Sequence, residues 1–424
     1  MRAPVLCAVP GPAEARLVAA LDAPGTGLQV VRRCADLPEV VALGLAGVAR
    51  AAVLAGNLPG LDRAAVARLS AAGVATVLLA DEGDARRCSA LGARAVVGQT
   101  PDEVLRALRT AVTEGATADA ASRPSEVDGD PEDAGGEASG RLVAVWGPNG
   151  APGRTTVAVN LAAELAHLGE AVLLVDADTW GGCVAQALGL LDESAGLAAA
   201  VRAAGNGVLD RAALGRLCPE AEPGLRVLTG ISRPDRWREL SRAGLDVVWT
   251  VGRRLARWTV VDCGAPIEDE AGAGFEAMLG PRRNGATLSA LAVADVVVVV
   301  GAGEPVGVQR LVQALADLDD AGALPPGARR VVLVNRVRSA AAGPSPEQAL
   351  AAALSRYAGV RDPVLVPDDR PGTDRAMLLG TTLREAAPQS PARAAIAALA
   401  ADVAGRPAPV HPARRAALRR QGTR

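Results

Sequence analysis

The sequence predicts two α/β domains, each built on a doubly wound parallel sheet, joined by a flexible acidic segment. Three observations carry this expectation. Short apolar runs of strand length alternate with stretches of helical periodicity, and they do so in two separate series. Between the series lies an acid-rich stretch that is poor in large apolar residues. The second series opens with a glycine-rich turn from strand into helix, as open α/β sheets commonly do.

The first series fills residues 1–114. PVLCAV (4–9) precedes a helical pattern from Ala13 to Leu21, and LQVV (28–31) precedes one near 37–46. AAVLA (51–55) leads to 62–72, ATVLLA (75–80) to 83–91, and RAVVG (94–98) to 101–112. Five strands, each followed by a helix, give a parallel sheet covered on both faces. Residues 115–140 then hold seven acids, one Arg, and no aromatic, Leu, Ile or Met. Such a segment cannot bury enough apolar surface to offset its ordering entropy, so it is expected to be a disordered linker.

The second series runs from 141 to 405. RLVAVW (141–146) is a strand and TTVAVNLAAELAHLG (155–169) an amphipathic helix, with GPNGAPGR (147–154) between them. A turn of this kind points backbone N–H groups and a helix N-terminus at phosphate. The pattern GxxxxGK[ST] would span 148–155: Gly153 and Thr155 match it, whereas Pro148 and Arg154 do not. The strand AVLLVDAD (171–178) ends in Asp176 and Asp178, and ARWTVVDCGAP (256–266) carries Asp262. At the carboxyl edge of a parallel sheet these acids fall beside the loop. Strands follow in 294–305, in 329–337 (ending at Asn335-Arg336) and in 363–369, with helices at 373–380 and 390–405. Residues 406–424 form a tail with six arginines and no acid.

Composition limits the chemistry. The chain of 424 residues has a net charge of −2, contains no lysine, and draws all 45 of its basic residues from arginine. Any reaction that needs a lysine is excluded. Six scattered cysteines without a CxxC pair suit neither a disulfide framework nor a zinc site. No apolar run reaches the ~18–20 residues of a membrane span, and the N-terminus lacks the pattern of a signal peptide. These features together predict a soluble, cytoplasmic protein. The near-neutral balance and scarce aromatics argue against nucleic acid as partner.

In order, length and the turn NLPGLD (57–62), the first domain resembles a response-regulator receiver. A receiver binds Mg²⁺ through acids after its first strand and accepts phosphate on an Asp ending its third. Here Val9, Pro10 and Gly11 hold the first place and Ala55 the second, while Gln99 stands for the receiver lysine. Without a carboxylate nucleophile or metal ligands, phosphotransfer is unavailable. A pseudo-receiver that docks a partner is expected.

The second domain resembles the MinD/ParA family of deviant-Walker ATPases, most specifically through VLLVDADTWGGCVAQALGL (172–190). Joined to a pseudo-receiver, it is similar to the CpaE/TadZ branch, which is associated with placing pilus machinery and has septum-site-determining relatives. The resemblance implies ATP and Mg²⁺ as cofactors and a nucleotide-dependent homodimer. It implies nucleotide contacts from Asn149, Gly150, Ala151, Pro152, Gly153, Arg154, Thr155, Thr156 and Asn335. It implies catalytic roles for Asp178 and Asp262, and Mg²⁺ held by Thr155, Asp176 and Asp262, directly or through water.

The departures bear on activity. The family's two loop lysines fall at Arg154 and Asn149; the first keeps its charge in a different shape, and the second loses it. Arg282 or Arg283 are candidates to restore that charge. Pro152 removes an N–H donor where the loop wraps phosphate. Weak or absent hydrolysis is therefore expected. The expected function is an ATP-controlled spatial regulator whose nucleotide-bound dimer recruits secretion or division proteins; a degenerate, non-hydrolysing scaffold on the same fold is the alternative, and a DNA-segregation ATPase a second. The arginines of 411–421 suit anionic lipid, but Leu418 alone gives no face for insertion. The tryptophans fall mostly in apolar patterns and read as core, with Trp180 placed near the nucleotide or a dimer face.

Overall fold

The computed structural model describes residues 2–115, 139–190, 195–268 and 281–407. The acidic segment 116–138 and the tail 408–424, where the sequence places most of the linker and of the basic tail, lie outside the described residues. Two compact units are present. The first comprises the N-terminal sheet with its helices and takes in Val201–Leu209; the second comprises the remainder.

In the first unit the strands are β1 (Ala3–Ala8), β2 (Leu28–Arg33), β3 (Ala51–Ala55), β4 (Ala75–Leu79) and β5 (Ala95–Val97). They pair in parallel in the order β2-β1-β3-β4-β5, one of the two common doubly wound orders. Each strand leads into a helix: α1 (Ala13–Leu21), α2 (Leu37–Leu45), α3 (Arg63–Ala71), α4 (Ala85–Ala90) and α5 (Pro101–Gly115). Side-chain caps start two of them. Asp36 accepts from the Glu39 N–H and Asp62 from the Ala65 N–H. Alternating strand residues separate into two apolar clusters, one on each face: Leu6, Ala52, Leu54 and Leu78 on one side, Val5, Val53, Val77 and Leu79 on the other.

The second unit is an eight-stranded sheet in the order β13-β12-β11-β6-β10-β7-β9-β8. Its strands are β6 (Arg141–Trp146), β7 (Val172–Ala177), β8 (Glu220–Glu222), β9 (Leu225–Leu228), β10 (Trp258–Cys263), β11 (Val296–Ala302), β12 (Arg329–Val337) and β13 (Val364–Pro367). All pairs are parallel except β8 with β9 at the edge. The central strands β7, β10 and β11 are buried along their whole length, which explains unbroken runs such as the valines 296–300.

Helix α6 (Arg154–His167) packs between the sheet and the terminal helix Pro391–Val403 and buries nine consecutive residues from Val157 to Leu165. Two polar side chains on this buried face fix its position. Asn160 donates to the Thr156 carbonyl at 2.8 Å and accepts from the Leu383 N–H at 2.7 Å. Glu164 takes two hydrogen bonds from Arg393, at 2.6 and 3.1 Å, joining α6 to the terminal helix.

Trp146, Trp249 and Trp258 are core residues as expected. Trp237 is not: it is half-buried on a short 3-10 helix, Pro234–Glu239, with Arg238 against its ring. No described helix is long and apolar enough to cross a membrane.

Candidate functional site

The glycine-rich loop leaves β6 at the carboxyl edge of the sheet and enters α6. Its course is set by two glycines in the left-handed region, Gly150 at φ +77° and Gly153 at φ +89°, where a β-carbon costs energy. At Gly153 there is also no room for one, because a Cβ would stand 2.3 Å from Asn335 Nδ2. Asn149 and Gly150 form the exposed crest, and Ala151 is buried, its N–H donating to the Pro148 carbonyl. Pro152 has no N–H, yet its carbonyl accepts from Asn335 Nδ2 at 2.9 Å. In a trans peptide C=O and N–H point oppositely, so this bond directs the Gly153 N–H away from Asn335.

Asn335 is aimed by an irregularity in its own strand. The pairing of β12 with β13 shifts register between Val334 and Val337. Within the shift, Arg336 takes φ +56°, the one non-glycine residue with positive φ among those described. The Arg336 N–H donates to Asn335 Oδ1 at 2.9 Å. A local break in the ladder that redirects a side chain is a frequent device beside functional sites.

Asp262, one residue before the end of β10, stands next to Asp176 of β7, its register partner. Thr155, on the first turn of α6, donates its hydroxyl to Asp262 Oδ2 at 2.6 Å. The other oxygen, Oδ1, is buried without a hydrogen-bond partner. Burial, reinforced by the charge of Asp176, pushes the Asp262 carboxyl well above the ordinary range, with the Thr155 hydroxyl opposing. Burial likewise pushes Asp176 up to about 7, against the amides of Val184 and Asp178 that donate to it. Both Asp176 oxygens are engaged by these backbone donors, at 3.2 Å from Asp178 and 3.1 Å from Val184. Asp176 thus shapes the loop that follows β7, beside the acid that faces Thr155.

Asp178 Oδ1 accepts from the N–H groups of Trp180 and Gly181, at 2.9 and 3.1 Å. Its other oxygen lies 3.6 Å from Arg154 Nη2. Arg154 also reaches the carbonyls of Pro148 and Ala151, both at 3.4 Å, and so lies folded across its own loop. Beyond Asp178, Trp180 is 39% exposed, with the Arg283 guanidinium stacked 3.4 Å from its ring centre. Arg283, one of the two candidates for the missing loop charge, is thus stacked on Trp180.

Two clefts flank the loop. One of about 250 Å³ lies among Arg154, Thr155, Asp178, Cys183, Thr373 and Met377. The other, about 440 Å³, lies among Thr156, Asn335, Arg336, Asp368, Asp369 and Asp374. Gly153 and Thr156 border both. The sequence-predicted residues thus come together around one loop. Sequence reasoning missed the far walls, given by Asp368, Asp369, Thr373 and Met377, and also Asn160, whose only signal was a polar residue on an apolar helix face.

The model of the CobQ/CobB/MinD/ParA nucleotide-binding domain (CbiA) matches residues 143–370, more than half of the chain. The chain belongs to this family. The match spans the loop, Asp176, Asp178, Asp262 and Asn335, so the CbiA domain contains every residue just described up to Asp369.

Among solved structures, a ParA family ATPase from Chlorobium tepidum is 18% identical over 62% of this chain and 98% of its own, with a TM-score of 0.52. This likeness shows a shared fold. The cell-division ATPase MinD of Pyrococcus furiosus is 20% identical over 63% of this chain and 99% of its own, at TM-score 0.47. MinD of Pyrococcus horikoshii, a septum site-determining protein complexed with Mg-ADP, is 20% identical over 62% and 96%, at 0.48. No curated protein matches the chain.

Proposed function

We propose that the CbiA domain binds ATP with Mg²⁺ at the loop 147–156 and acts as a nucleotide-controlled spatial regulator. The observation that carries this reading is the pairing of Thr155 with Asp262 beneath a glycine-rich helix N-terminus, with Asp262 Oδ1 left unpartnered. An orphaned, buried carboxylate oxygen beside a hydroxyl is a good seat for a hydrated cation. No cluster of three His, Cys, Asp or Glu among the described residues could hold a metal unaided. That suits Mg²⁺, which keeps waters and takes its other ligands from phosphate.

The protein groups divide the work. Thr155 and Asp262 hold the cation, whose charge neutralises the phosphates when it is bound. The α6 N-terminus and the loop amides take the phosphate oxygens. Arg154 leaves the Pro148 and Ala151 carbonyls for the phosphates, and Asp178, then released from Arg154, is free to orient a water. Asn335 and the cleft toward Asp368 receive the base. The nucleotide-bound form is proposed to dimerise and to recruit pilus-secretion or septum components, with the first unit as a pseudo-receiver docking module.

A second reading, a scaffold that does not hydrolyse ATP, is favoured by one arrangement: Arg154 already satisfies itself within the loop, and Pro152 offers no donor. Light scattering of the full chain separates the two. The regulator doubles its mass with Mg-ATP and stays monomeric with Mg-ADP; a mass indifferent to nucleotide supports the scaffold.

A further inference from the structure

We propose that Arg310 supplies a second phosphate-binding cation to the loop, meeting the terminal phosphate of a bound triphosphate at the Asn149–Gly150 crest. The proposal rests on nucleotide binding at this loop and names a residue outside the loop that completes it. Arg310 lies in the helix Pro305–Asp320, which follows β11. Because β11 pairs with β6 in parallel, the start of that helix and the start of the loop emerge at the same edge of the sheet.

The contact is close. Arg310 Nη1 lies 3.5 Å from the Asn149 carbonyl oxygen. A Cβ on Gly150 would stand 2.1 Å from the same nitrogen. The guanidinium therefore lies against the bare Cα of Gly150, and any side chain there would push it away. Glycine at this position serves the arginine's approach as well as the backbone angle.

Charge gives the contact its meaning. The loop offers a single cation, Arg154, and that guanidinium already lies against Asp178 beside the buried acids Asp176 and Asp262, so a triphosphate adds negative charge where little positive charge is free to meet it. Among the described residues Arg310 forms no ion pair, unlike Arg253, Arg329 and Arg393, which each hold an acid. An exposed guanidinium with no counter-ion costs little to redirect, and its planar fork suits phosphate oxygens. Asn149 carries no charge at the crest, and Arg310 brings one there from outside the loop.

The test is competition of ATP and ADP against a fluorescent ATP analogue on the full chain, with Mg²⁺ present. Arg310→Ala is expected to weaken ATP about tenfold, the scale of one lost charge-assisted hydrogen bond, while ADP changes little. Arg310→Lys retains most of the ATP affinity. Asn149→Lys placed in the Arg310→Ala background restores ATP binding, because the charge returns to the same crest. The melting temperature without nucleotide stays that of the parent, since the side chain is exposed and makes only one long hydrogen bond, to the Asn149 carbonyl. An equal loss for ATP and ADP makes Arg310 a brace for the loop and overturns the proposal, as does unchanged ATP affinity in Arg310→Ala. Failure of the parent chain to bind either nucleotide overturns the nucleotide reading itself, and this inference with it.

Discussion

At the scale of single residues, Asp262 and Gly153 carry opposite consequences for stability. Asp262 is a buried acid with one oxygen unpartnered, so burial disfavours its charged form and ionising it costs the fold. Asp262→Asn keeps the shape and removes that charge. The expected result is a nucleotide-free melting temperature equal to or above the parent's, together with loss of the stabilisation given by Mg-ATP. Calorimetric scans with and without nucleotide check both halves. Gly153→Ala places a methyl group against Asn335 Nδ2 in a left-handed backbone, and about 1–3 kcal/mol of stability should go with it in denaturant titration. Asn335→Ala in the same chain removes the clash but not the backbone cost, so the double variant recovers only part of the loss. Most loop residues were legible in the sequence because glycine spacing encodes backbone shape. Asp368 and Met377 were not, because they reach the site through chain distances that no local pattern records.

At the scale of elements, α6 depends on its contact with the terminal helix. Arg393→Ala leaves Glu164 buried and unpaired, which should cost about 3–5 kcal/mol. Replacing both partners, as Glu164→Leu with Arg393→Met, should return most of it in the same denaturant titration. His167, in the last turn of α6, is held below its ordinary pKa by burial and by Arg384, with Glu164 opposing. The unfolded chain therefore binds this proton more tightly than the folded one, and stability should rise as pH increases through the ordinary histidine range. His167→Gln should remove that component of the pH dependence; an unchanged profile assigns it to another group. The five strand–helix repeats of the first unit were readable nearly to their ends, because each strand is a short apolar run bounded by turn residues. The edge strand β8 and its neighbour β9 escaped notice. Glu220–Glu222 is three residues with two acids, and the antiparallel partner alone makes it a strand.

At the scale of the whole molecule, the family and the fold of the CbiA domain are shown, and the regulator that we propose adds nucleotide control. Parallel central strands, buried on both faces, explain why so valine-rich a sequence needs few aromatics for its core. Lysine is absent from the chain, so a positively charged side chain on the phosphates must be an arginine, with backbone, hydroxyl and cation supplying the other contacts. Arg154 and its loop are where that substitution is tested. The most direct measurement is isothermal calorimetry of Mg-ATP and Mg-ADP with the full chain, beside Arg154→Ala and Asp262→Ala. The account predicts micromolar binding in the parent and its loss in both variants. No heat at millimolar nucleotide, together with no shift in melting temperature, contradicts it and leaves a nucleotide-independent scaffold on this fold.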